Sequence, residues 1–198
     1  FPPMRHCLFW SVTTLLLTLG SAHAHPTTFK GGVAAYSRLQ PGMATVTANY
    51  TFHRRAAIAT TYQRIVLPDT RLEGAQGHLN LLLYRFNGQG AQGNLYASLG
   101  AGIANAQTTE PSAPYGFDDL RPIYSGGLQA DFETRKVYTA FQSNLLWTDQ
   151  QRPFWLRYRF GLAPYVAHYG ELQTWLVVQS TWFPDMESGV NITPLMRF

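Results

Sequence analysis

Cysteine is almost absent from this 198-residue chain: Cys7 is the only one. It lies in a stretch that reads as a removable leader, so the rest offers no disulfide and no thiolate. Cysteine nucleophiles and cysteine-based metal sites are thereby excluded. Charge is scarce too. Asp, Glu, Lys and Arg make up 13% of the residues, against roughly 25% in ordinary globular domains. The basic residues are dispersed, with no run of five and no stripe, so no nucleic-acid partner is expected. Beyond the leader no run of about 18 apolar residues occurs, which excludes a membrane protein built on helices. No glycine motif precedes a helical pattern. Gly100-Ala101-Gly102 therefore reads as strand glycine rather than a phosphate loop.

What remains is aromatic and glycine-rich. Phe, Tyr and Trp make up 14% of the chain and Gly contributes 17 residues, yet the mean hydropathy is only −0.14. A β-barrel in a membrane reconciles these values, because each of its strands is apolar on one face only.

Phe1-Pro2-Pro3 reads as upstream sequence and Met4 as the start. Arg5 and His6, the apolar run from Cys7 to Leu19, and Ala22-His23-Ala24 have the order of a Sec signal peptide cleaved after Ala24. Residues 1–24 are thus leader and 25–198 a single β-barrel domain. An N-terminal His25 would offer an amine and an imidazole, a weak candidate for metal. The other histidines of this part, His53, His78 and His168, do not pair at a ligand spacing.

Phe154-Trp155-Leu156-Arg157-Tyr158-Arg159-Phe160 shows the pattern best. Phe154, Leu156, Tyr158 and Phe160 fall on one side of an extended chain, Arg157 and Arg159 on the other. Similar alternation marks ten strands, at 30–38, 44–52, 56–66, 78–86, 94–105, 126–134, 137–148, 154–166, 172–183 and 190–198. The implied fold is all-β: an antiparallel up-and-down meander barrel of ten strands, or twelve if the chain continues past Phe198. The connections at 67–77 and 106–125 are long and fall at one end of the barrel. Those at 53–55 and 135–136 are short and fall at the other, as outer-membrane barrels arrange them.

The strand phases put Asp131, Glu133, Arg157 and Arg159 into a lumen polar network, together with His78, Asn80, Tyr84 and Gln142. Two readings stay open for it: a charged constriction that selects solutes, or a hydrogen-bonded filling of a narrow barrel. Trp147, Trp155, Trp175 and Trp182 lie near strand ends and are expected as interface aromatics at the headgroup level. No catalytic residue and no cofactor is assigned. His168 stands at a turn without a serine beside it.

On the leader, the alternation, the loop asymmetry and the terminal Phe198, the chain resembles small Gram-negative outer-membrane β-barrel proteins. More narrowly, His25-Pro26-Thr27-Thr28-Phe29-Lys30-Gly31-Gly32, Leu172-Gln173-Thr174-Trp175 and Thr193-Pro194-Leu195 resemble blocks of an uncharacterised proteobacterial family of secreted proteins. That resemblance implies a truncated C-terminus and a metal-stress context; it transfers no catalytic residue. The expectation is an integral outer-membrane barrel without catalysis, porin-like and narrow or purely structural. Its partners would be outer-membrane lipid and the outer-membrane insertion machinery. The alternatives are an outer-membrane lipid-modifying enzyme and a soluble periplasmic binder like lipocalins, in which the apolar faces would point inward.

Overall fold

The structure, a computed structural model, describes residues 26–27, 29–40, 42–67, 70–108, 120–149, 151–166, 174–184 and 189–197. The expected leader, His25, His168 and Phe198 lie outside the described residues. Ten strands follow in order: β1 (Val33–Gln40), β2 (Met43–His53), β3 (Ala56–Val66), β4 (Thr70–Gly88), β5 (Ala91–Thr108), β6 (Leu120–Thr134), β7 (Val137–Trp147), β8 (Phe154–Leu162), β9 (Trp175–Trp182) and β10 (Val190–Arg197). They form one antiparallel sheet in sequence order. The sheet curls into a half-barrel whose edges, β1 and β10, are not hydrogen-bonded to each other among the described residues. Curvature still brings β1 to β8, since Arg157 Nη2 donates to Gln40 Oε1 at 3.2 Å.

Short turns set the register. Gly42 (φ 71°) and Gly90 (φ 76°) close the β1–β2 and β4–β5 hairpins in a backbone region that side chains disfavour. Thr148 Oγ1 accepts from Gln151 N at 2.8 Å and holds the β7–β8 turn.

Two expectations about the connections are corrected. β4 begins at Thr70, so most of the expected 67–77 connection is strand, paired to the far end of β5. Its glycines and charges imitate a loop, but a partner strand satisfies its backbone. At the opposite end, β8 and β9 are separated by 163–174, wider than the expected 167–171. Wide separations therefore occur at both ends, and the loop-length asymmetry does not hold.

The polarity of the sheet is the reverse of a water-soluble barrel. Along β2, Thr45, Thr47, Asn49 and Thr51 are buried while Val46, Tyr50 and Phe52 are exposed. On β8, Arg157 and Arg159 are buried, and Tyr158, Phe160 and Leu162 are exposed. Ile58, Leu79, Leu99, Leu128, Phe141, Leu176, Val178 and Ile192 continue the apolar exterior across the sheet. Charged side chains on this outer face are confined, among the described strand residues, to Arg64, Arg71 and Glu73, clustered where β3 meets β4. There Glu73 accepts hydrogen bonds from the Tyr62 hydroxyl and the Arg71 guanidinium.

Candidate functional site

The interior is layered along the barrel axis. At the end that carries the β1–β2, β3–β4, β5–β6, β7–β8 and β9–β10 connections, inward side chains are apolar. Met43, Ile65, Leu67, Leu72, Ala104, Ile123, Leu146, Trp155 and Phe183 make one buried cluster. Trp155 stacks on Phe183, with centroids 6.0 Å apart and 27° between planes. The β7–β8 turn reaches across this end: Gln151 Nε2 donates to Thr70 Oγ1 at 2.8 Å, and Arg121 pairs with Asp149 at 2.9 Å. This is a plug with a strap over it.

Below the plug lies a cavity of about 730 Å³. Its wall is polar. Gln63, Gln76, His78, Asn80, Gln142, Asn144 and Gln179 line it, with Arg38 and Arg159. Arg157 is only 1% exposed and lies behind the wall. Its Nη1 donates to Gln142 Oε1 at 2.9 Å. On the next turn of the pleat, Arg159 Nε donates to Gln179 Oε1 at 2.8 Å. On the other side Thr47 and Thr61 share a 2.9 Å hydroxyl contact, and Asn80 Nδ2 donates to Asn49 Oδ1 at 3.3 Å.

The far end is divided. Towards β4–β6 it is polar: Asn94 Nδ2 donates to Asp131 Oδ1 at 2.7 Å, and Arg85 Nε donates to Asn94 Oδ1 at 2.8 Å. Towards β7–β10 it is apolar, with Tyr138, Ala140, Trp175 and Val177 buried together and Ala163 and Leu195 packed on them. Pro26 lines the cavity from the N-terminal side, and Thr27 is fully buried.

Asp131, Glu133, Arg157 and Arg159 all take inward register positions, as the strand phases require. His78, Asn80 and Gln142 line the cavity. Tyr84 does not: it is 62% exposed. A β-bulge between Leu82 and Tyr84 resets the alternation, which counting by twos does not detect. The four tryptophans also separate. Trp182 is exposed on the outer face and Trp147 half-buried, whereas Trp155 and Trp175 are buried inside. Trp155 has the same strand parity as Arg157, so nearness to a strand end misplaces it as an interface residue while parity places it inward.

Residues absent from the sequence reading complete the site. Arg38 on β1 reaches the cavity, where the groups acting on it most strongly include Arg159 and the Tyr36 phenol. Arg157 in turn feels Arg38 and Arg159. His78 and Ser125 flank Gly100, and a Cβ there would collide with both side chains. Among the described residues no group of three or more His, Cys, Asp or Glu could hold a metal ion. No family model, no curated protein and no solved structure matches the chain.

Proposed function

We propose that the chain is an integral outer-membrane β-barrel without catalysis, with a lumen closed at one mouth, and that it acts as a structural or surface barrel rather than an open pore. One observation carries this reading: strand after strand turns its polar residues inward and its large apolar residues outward. In water such an exterior would leave an apolar patch far beyond the few hundred Å² that soluble monomers tolerate. In a bilayer the same face is the solvated one. The polarity is also opposite to what a lipocalin-like binder requires. The plug of Ile65, Leu146, Trp155 and Phe183 supports the closed mouth. Outer-membrane lipid and the insertion machinery are the partners this reading requires, and the metal-stress context enters only through the family resemblance.

The test is a heat-modifiability gel on fractionated cells. Protein in the outer-membrane fraction that migrates differently before and after boiling is the expected result. A periplasmic, soluble protein with no shift would overturn it.

A second reading, a lipid-modifying hydrolase, is favoured by one specific feature: His78 and Ser125 lie either side of Gly100 inside the cavity. A serine activated by a nearby histidine is the minimal nucleophilic pair. Release of fatty acid from outer-membrane lipid by the purified protein, lost in Ser125→Ala, would establish it. Unchanged lipid after prolonged incubation would dismiss it.

A further inference from the structure

The cavity wall beside β1, β7 and β8 is rich in donors and poor in acceptors. Arg157 occupies the carbonyl oxygens of two glutamines, Gln142 at 2.9 Å and Gln40 at 3.2 Å. Arg159 occupies that of Gln179 at 2.8 Å. Each carbonyl is thus partly taken up; Gln40 Nε2 also donates to Met43 Sδ at 3.9 Å and Gln179 Nε2 to Thr181 Oγ1 at 3.4 Å, so the Gln142 amide is the donor of the three turned to the cavity. Two further donors are buried with no hydrogen-bond partner: Arg157 Nε, on a side chain 1% exposed, and Asn144 Nδ2. The groups that act on Arg157 are Arg38 and Arg159, both cations, and the Tyr36 phenol. Cations buried together without a carboxylate are costly unless something negative joins them.

We propose that this chamber is a binding site for a small phosphate-type oxyanion, held by Arg38, Gln142 and Asn144, with Arg157 behind them and Arg159 at the flank. Guanidinium and amide N–H groups suit this chemistry. Arginine forks meet two oxyanion oxygens at once, and charge-assisted hydrogen bonds in a water-poor site are strong. Arg157 is a positioning residue: it orients Gln40 and Gln142 and adds its field. The proposal goes beyond the barrel reading and does not depend on it, because it needs only the inward register of β1, β7 and β8.

The test is calorimetric titration of the whole folded protein in a non-ionic maltoside detergent and a buffer free of oxyanions. One arm uses inorganic phosphate; the other uses a short-chain phosphatidic acid carried in the micelle. The expected result is saturable one-to-one binding that weakens by at least about tenfold in Arg38→Gln, the loss of one charge-assisted contact. The control Lys136→Gln, in the exposed β6–β7 turn, should leave it unchanged. Binding of free phosphate identifies a solute; binding of phosphatidic acid alone identifies a lipid headgroup. Either supports the site. Arg157→Met serves if Arg38→Gln fails to fold, as judged by circular dichroism, and should weaken binding similarly. No heat with either probe would overturn the proposal. So would equal affinity in the arginine variants, or an equal loss in Lys136→Gln.

Discussion

Leu128 on β6 is an outward residue, 51% exposed, midway between Leu120 and the Arg135-Lys136 turn. Replacing it by arginine separates lipid from water as the surrounding medium. In water, an exposed strand substitution of this kind changes stability by only about 0.5 kcal/mol in either direction. In a bilayer, arginine at the midplane of a barrel's outer face costs about 2–4 kcal/mol, falling to about 0–1 near the interface. Leu120 supplies the internal control. It shares the face and lies in the same hydrogen-bonded row as the charged Glu73, through Asn105. At about 3.4 Å per residue and a tilt of about 40°, it lies about 20 Å along the membrane normal from Leu128, outside an apolar band of about 25 Å total height. Leu128→Arg should therefore destabilise by at least about 1 kcal/mol more than Leu120→Arg. Urea unfolding from lipid vesicles, followed by tryptophan fluorescence, measures the difference. Equal midpoints for the two variants, or a Leu128→Arg protein as stable as the parent, would refute the lipid assignment.

Three other positions probe the interior. Trp155→Ala removes the largest ring of the plug, so it should cost about 3–5 kcal/mol and raise single-channel conductance in planar bilayers from near zero; an unchanged trace would mean that the plug does not seal the mouth. Asp131→Ala should cost about 1–3 kcal/mol by depriving the buried Asn94 amide of its acceptor, whereas Asp131→Asn, which keeps a carbonyl oxygen, should recover most of it in the same unfolding assay. Gly102→Ala places a Cβ on the Ala75 carbonyl oxygen and 2.7 Å from Gln76 Cα, so about 1–3 kcal/mol of overpacking is expected; a neutral result would mean that β4 and β5 separate more easily than their pairing implies.

How much of this was legible in the sequence depends on how far each feature reaches. Parity along one strand is local, and it was readable: the inward Arg157 and Arg159, the outward Tyr158 and Phe160, and all of β2 follow from it. The plug left a local trace that the alternation count passes over. Ile65-Val66-Leu67, Leu145-Leu146-Trp147 and Trp182-Phe183 are apolar on both faces, and all sit at strand ends on the same side of the barrel. Doubling of this kind is the signal that the interior has become apolar. The extension of β4 and β5 was hidden because Gly74, Gly77, Gly100 and Gly102 are strand-poor residues that only pairing makes extended. The bulge at Leu82/Tyr84 depends on the partner strand, so Tyr84 could not be placed from its own neighbours. Arg38 needed more still. It meets the β8 arginines only through the curvature of the whole sheet, which no window of sequence contains.

That curvature bears on whether the inward charges merely fill the barrel. At the β4–β6 end they do: Arg85, Asn94 and Asp131 form a chain in which donor and acceptor answer each other. Such a network pairs cation, amide and carboxylate within the wall itself. The β1–β8 wall is built differently. Arg38 and Arg157 bring two positive charges, the carbonyls of Gln40 and Gln142 answer only part of the guanidinium of Arg157, and Nε of the same group stays without a partner. A barrel that needed only filling could place leucine there, as it does one layer up at Leu72 and Leu146, and avoid the desolvation of two cations. Arginine backed by neutral amides is the costlier choice for stability alone. It becomes the favourable one when an anion completes the shell, and for that reason the proposed anion site falls in this chamber rather than at the charged far end.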